Sequence, residues 1–148
     1  MAAPPLSSDG FLPGGVHVCS LDEVRERFGN YQNGDNRCRW MDRLDAFVKE
    51  ARKTGLVASI VIDGSFTTAK DHPNDIDLIL VVRSGHDFAA DLRPFEYNIL
   101  SKRQVRRLYG FDVLVAEEGK PEFGEYVDFF AQVRGDPNVR KGMAQVIL

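Results

Sequence analysis

Two aspartates one residue apart, Asp75-Ile76-Asp77, stand at the head of the apolar run Leu78 to Val82. If that run is a strand, its side chains alternate and both carboxylates point to the same side. Like charges about 4 Å apart repel by roughly 4 kcal/mol at an effective dielectric near 20. Such a pair at the mouth of an apolar strand is a candidate site for a divalent metal. Upstream, across nine intervening residues, Gly64-Ser65 closes a second apolar run. A turn there can aim backbone N–H groups at a phosphate. A third acid, Asp112, lies between apolar neighbours in Phe111-Asp112-Val113-Leu114-Val115. A carboxylate in that setting is costly to bury unless it is paired or metal-bound.

These residues need elements to hold them. Leu56 to Ile62 and Ile76 to Val82 are β-rich runs without alternation, so both read as strands covered on two faces. His72-Pro73-Asn74 must be a loop, because proline disfavours helix in the residue before it. Phe111 to Ala116 is a third strand, and Met143 to Leu148 a closing one. Ser20 and Glu23 have capping-box spacing at the start of a short helix through Phe28, ended by Gly29-Asn30. Trp40, Leu44, Phe47, Val48 and Ala51 recur at helical spacing from about Asn36 to Thr54, with Gly55 as the stop. Asp87 to Leu108 reads as helix in one or two pieces with Pro94 at a start, and Pro121 to Val133 as a last helix. Gly135 to Asn138 is a turn. The sum is an α/β or α+β fold, a small mixed β-sheet flanked by helices.

At 148 residues the chain is expected to form one domain over 16–148, preceded by a Pro/Gly/Ser-rich arm, residues 1–15, that is flexible or extended. A hydrophobic fraction of 43% and a charged fraction of 28% are those of a soluble globular protein. The net charge of −3 excludes a chain that is basic overall, so any nucleic-acid contact must be local. Cys19 and Cys38 are in no metal-ligand spacing and suggest reduced thiols in a cytoplasmic protein. The N-terminal residues have no secretory pattern, and no apolar run is long enough to span a membrane.

The order and spacing of Gly64-Ser65, Asp75-Ile76-Asp77 and Asp112 resemble the polymerase-beta-like nucleotidyltransferase superfamily, particularly its short bacterial branch, over about 36–117. Asp63 departs from that pattern, which usually has an apolar residue before the Gly-Ser. The resemblance implies two Mg²⁺ ions, with Mn²⁺ as a substitute, held by Asp75, Asp77 and Asp112. It also implies an NTP gripped at Gly64 and Ser65. The acceptor would be an RNA end such as tRNA, or a protein side chain. A partner chain of a toxin–antitoxin or phage-defence pair is a further expectation. The rival expectation is a catalytically silent relative that binds a nucleotide or a protein.

Lys70 and His72 fall between the two motifs. Both read first as surface-loop residues, with Lys70 the candidate phosphate contact. Lys102 to Arg107 carries four basic residues in six, a solvated face or a local patch for phosphates. His17 and His86 have no partner pattern. Trp40, Phe47, Tyr109, Phe111 and Phe129 read as core rather than as base-stacking platforms.

Overall fold

A computed structural model describes residues 4–30 and 35–148. The two apolar runs form the centre of a five-stranded mixed sheet: β2 (Val57–Asp63) pairs antiparallel with β3 (Asp77–Val82). On the far side of β3, β4 (Asp112–Glu117) runs parallel to it. On the far side of β2 comes β7 (Met143–Ile147), and outside it the short β1 (Val16–Val18). The order is therefore β1-β7-β2-β3-β4. β2 and β3 are buried along nearly their whole length, as expected of strands apolar on both faces.

Alternation along these strands divides the core in two. One face presents Ile60, Ile62, Leu78, Leu80 and Val113 to α2 (Asp35–Thr54), whose Met41, Leu44, Phe47, Val48 and Ala51 are all fully buried. Helices α3 (Pro94–Leu100) and α4 (Lys102–Tyr109) bury Ile99 and Val105 in the same layer. Phe47, Tyr109 and Phe111 form edge-on and stacked ring pairs there, with Trp40 against Phe111. The other face presents Val61, Ile79, Leu114 and Ala116 to a smaller cover, the single helix α5 (Pro121–Ala131).

Several boundaries differ from the sequence expectation. The helix begun at the Ser20 cap is α1 (Leu21–Val24), which widens into a π-helical turn over Arg25–Gly29. Residues 87–93 are not helical, with a turn only around 88–90, and helix begins at Pro94. α5 ends at Ala131. Gln132–Val133 (β5) and Asp136–Arg140 (β6) then make a small hairpin where a helix end and a turn were expected. Only Arg134-Gly135 remains a turn.

The first three residues of the expected flexible arm lie outside the described residues; of its remainder, Phe11 and Leu12 dock on the domain while most of the other residues are exposed. Leu12 is 1% exposed, Phe11 bridges Thr68, and the Gly142 N–H donates to the Leu12 carbonyl at 2.9 Å. Apolar Phe11 and Leu12 and the backbone groups around them give the segment something to bury and bond, which its Pro/Gly/Ser content concealed. No helix among the described residues is long and apolar enough to cross a membrane.

Candidate functional site

β2 ends where β3 and β4 begin, and all three ends carry an aspartate. Asp63 is the register partner of Asp77, and Asp77 that of Asp112. Strand neighbours lie about 4.8 Å apart and opposed residues share a face, so these three form one row across the sheet. It is the face covered by α5, just beyond Val61, Ile79 and Leu114. Asp75 joins from the loop two residues before Asp77.

That loop is shaped by Gly64. Its φ of +92° is open to glycine, and a Cβ there would stand 2.9 Å from the Asp75 carbonyl oxygen and 3.0 Å from the Asp77 nitrogen. The chain thus doubles back against itself, bringing Ser65 onto Asp75. The Ser65 N–H donates to Asp75 Oδ1 at 2.8 Å, and the Ser65 hydroxyl donates to the same oxygen. The hydroxyl oxygen also accepts the N–H groups of Asn74 and Asp75 at 2.9 and 3.2 Å. The donors expected to meet a phosphate therefore hold the first aspartate in place. Lys70 lies on the rim, its Nζ donating to Asn74 Oδ1 at 3.4 Å.

Two basic residues complete the site, one of them, Lys141, not singled out from the sequence. Lys141, just ahead of β7, places its Nζ 3.1 Å from Asp63 Oδ2. Arg106, from the basic segment of α4, donates to Asp112 Oδ1 at 2.8 Å in an exposed pair. A third cation acts from behind. Arg37 is fully buried on α2 and donates to the carbonyls of Phe28, Phe66, Thr68 and Lys70 at 2.6–3.2 Å. It clamps the segment that follows the Gly-Ser turn.

Crowding shows in the acidities. Burial first, and then the charges of Asp75, Asp63 and Asp112, together raise Asp77 to about 6, against Lys141. Burial likewise raises Asp63 to about 6 despite Lys141. Asp63 Oδ1 is buried and has no hydrogen-bond partner.

An all-oxygen set of carboxylates in a row, one with an orphaned buried oxygen, suits a hard divalent cation such as Mg²⁺ or Mn²⁺. Among the described residues no three acids, histidines or cysteines are grouped closely enough to hold an ion as they stand. The reason is visible in the partners: Asp75 faces Ser65, Asp63 faces Lys141, and Asp112 faces Arg106. Freeing Asp112 from an exposed ion pair costs only about 0–1 kcal/mol, so the oxygen donors match a hard cation in type.

Space for a substrate lies on both sides of the carboxylates. A cavity of about 950 Å³ runs from Asp63, Asp75 and Asp77 to the β5–β6 hairpin and Phe129. Another of about 500 Å³ is lined by Gly64, Ser65, Lys70, Asp75, Asp77 and Lys141, with Phe11 of the arm shared by both. Phe129, read from sequence as core, is instead 65% exposed on the larger cavity, because α5 turns only Phe130 and Ala131 of that segment inward.

No curated protein and no solved structure matches the chain. Residues 4–147, from the docked arm through the last strand, match a family described as a family of unknown function (DUF6932), and the chain belongs to that family.

Proposed function

We propose that this protein is a Mg²⁺-dependent nucleotidyltransferase with a polymerase-beta-like arrangement. It moves a nucleoside monophosphate from an NTP to a hydroxyl of an RNA end such as tRNA, or of a protein side chain. The observation that carries this reading is the row Asp63–Asp77–Asp112 across three adjacent strands, with Asp75 fastened beside it on the Gly64-Ser65 turn. Asp75, Asp77 and Asp112 would hold the cation, which when bound would neutralise charge on the triphosphate and acidify the attacking hydroxyl. Lys70 and Lys141, both lining the smaller cavity, face the phosphates. Asp112, exposed at the sheet edge, is open to the acceptor. The acceptor oxygen bonds to the α-phosphorus as the bond to the β-phosphate oxygen breaks, pyrophosphate leaves, and the hydroxyl proton passes to solvent. Positioning and electrostatics provide most of the acceleration.

The test is transfer of label from each of four α-labelled NTPs, with Mg²⁺, to total tRNA or to a candidate partner protein. Label carried by the wild type and lost in Asp77→Ala supports the reading. No transfer from any nucleotide to any acceptor counts against it. A second reading, a catalytically silent module that binds a nucleotide or a protein, is favoured by the protein partners that Asp63, Asp75 and Asp112 each already have. Calorimetry of NTP with and without Mg²⁺ separates the two. Metal-dependent binding that Asp75→Asn abolishes belongs to the enzyme, and metal-independent binding to the module.

A further inference from the structure

We propose that the Lys141 ammonium is a built-in cation of the carboxylate row, standing in one of its two cation positions, so that the site takes one divalent ion rather than two. This rests on the metal-site reading above and changes its stoichiometry.

The case begins with Asp63. It is only 2% exposed, yet it lies at the end of β2 in register with a second carboxylate. A charge so placed needs an opposite charge beside it. Lys141 supplies one at 3.1 Å, with its own side chain only 18% exposed. A lysine gives up side-chain entropy to be held still, besides its hydration, so a surface contact of convenience does not account for the pair.

The backbone at Lys141 is fixed from three directions. Its N–H donates to the Ala131 carbonyl at the end of α5, and the next N–H, of Gly142, donates to Leu12 of the arm, both at 2.9 Å. Gly142 also leaves no room for a Cβ, which would overlap the Pro13 carbonyl. After Met143 the chain is locked into β7. The ammonium is thus delivered by rigid structure.

Charge and geometry then limit what else enters. Four carboxylates, Asp63, Asp75, Asp77 and Asp112, face the held ammonium of Lys141 and the exposed guanidinium of Arg106, and the two negative charges that remain match one divalent ion. Mg²⁺ needs near-octahedral oxygen ligands and keeps several waters. A second ion would have to share Asp63 with an ammonium already on its Oδ2, against like-charge repulsion. The compact, point-like charge of lysine suits this role as a planar guanidinium would not.

The experiment counts ions on the full chain with Mn²⁺ alone, by electron paramagnetic resonance and calorimetry. One ion is expected in the wild type, one in the double variant Asp63→Asn/Lys141→Met, and two in Lys141→Met. If Lys141→Met is unfolded in chelator, refolding on addition of Mn²⁺, followed by circular dichroism, supports the proposal, and failure to refold overturns it. Two ions in the wild type, or an unchanged count of one in folded Lys141→Met, overturns it while leaving the metal site standing. No Mn²⁺ bound by the wild type overturns the proposal and the metal-site reading together.

Discussion

Gly64 and Arg37 show how much of the site is held by residues with no chemistry of their own to offer. At Gly64 an alanine meets both a left-handed φ and the Asp75 and Asp77 backbone at about 3 Å. Gly64→Ala is therefore expected to lower unfolding stability by roughly 1–3 kcal/mol in urea titration, and to weaken Mn²⁺ binding because Asp75 moves. Arg37→Met leaves four buried or half-buried carbonyls without their donor. A loss of about 3–5 kcal/mol is expected. The same titration checks it, and a loss below 1 kcal/mol would show that the clamp is dispensable. Neither role was legible in the sequence. Gly64 could be read as a turn, but the close approach that demands glycine depends on where residue 75 ends up. Arg37 looks like any polar position on a helix until the carbonyls of residues 66–70 arrive over it.

Among the elements, legibility followed how locally each is specified. β2 and β3 declare themselves through continuous apolar runs, and α2 through five apolar residues at helical spacing. The short β1 and the hairpin β5–β6 do not. Val16 pairs with Met143, and Gln132–Val133 with a polar strand containing Pro137, so both exist because of tertiary partners rather than propensity. The same distinction explains the site. Asp75, Asp77 and Asp112 were found because they interrupt or head apolar strands, whereas Lys141 is a single basic residue brought to those acids by the placing of β7, and nothing local tells which member of the Lys102–Arg107 run meets Asp112. Helix α5 gives an element-scale test. Phe129 is 65% exposed and Phe130 only 9%. Phe129→Ser should change stability by no more than about 0.5 kcal/mol yet reduce NTP binding several-fold, since the ring lines the larger cavity. Phe130→Ala should cost about 3 kcal/mol. Thermal unfolding and calorimetry on the two variants separate the roles, and equal stability losses would mean α5 is turned differently.

For the whole molecule, the crowded acids make stability depend on pH and on metal. Asp63 and Asp77 are both raised to about 6 from an ordinary 3.8, so the folded state holds these protons more tightly than the unfolded chain does. Their contribution is complete below about pH 4 and is lost as pH rises through about 6. In chelator, Asp77→Asn should match the wild type near pH 4 and exceed it in urea midpoint at pH 7. Mg²⁺ at pH 7 should reverse that order, by stabilising the wild type alone. A wild type that stays ahead of Asp77→Asn at pH 7 in chelator would sink the account of charge crowding.

The position of β7 has a consequence of its own. The last of these strands in sequence order is not at the border of the sheet but between β1 and β2, and it brings Lys141 with it. A ribosome making this polypeptide releases four of the five strands before the one that joins them. Until residue 147 emerges, the first segment has nothing to zip onto and β2 shows an unpaired flank. Folding of the sheet must then wait until β7 has left the ribosome, at the slow pace typical of long-range pairing. In pulse-labelled translation, arrested chains lacking residues 143–148 should remain protease-sensitive throughout.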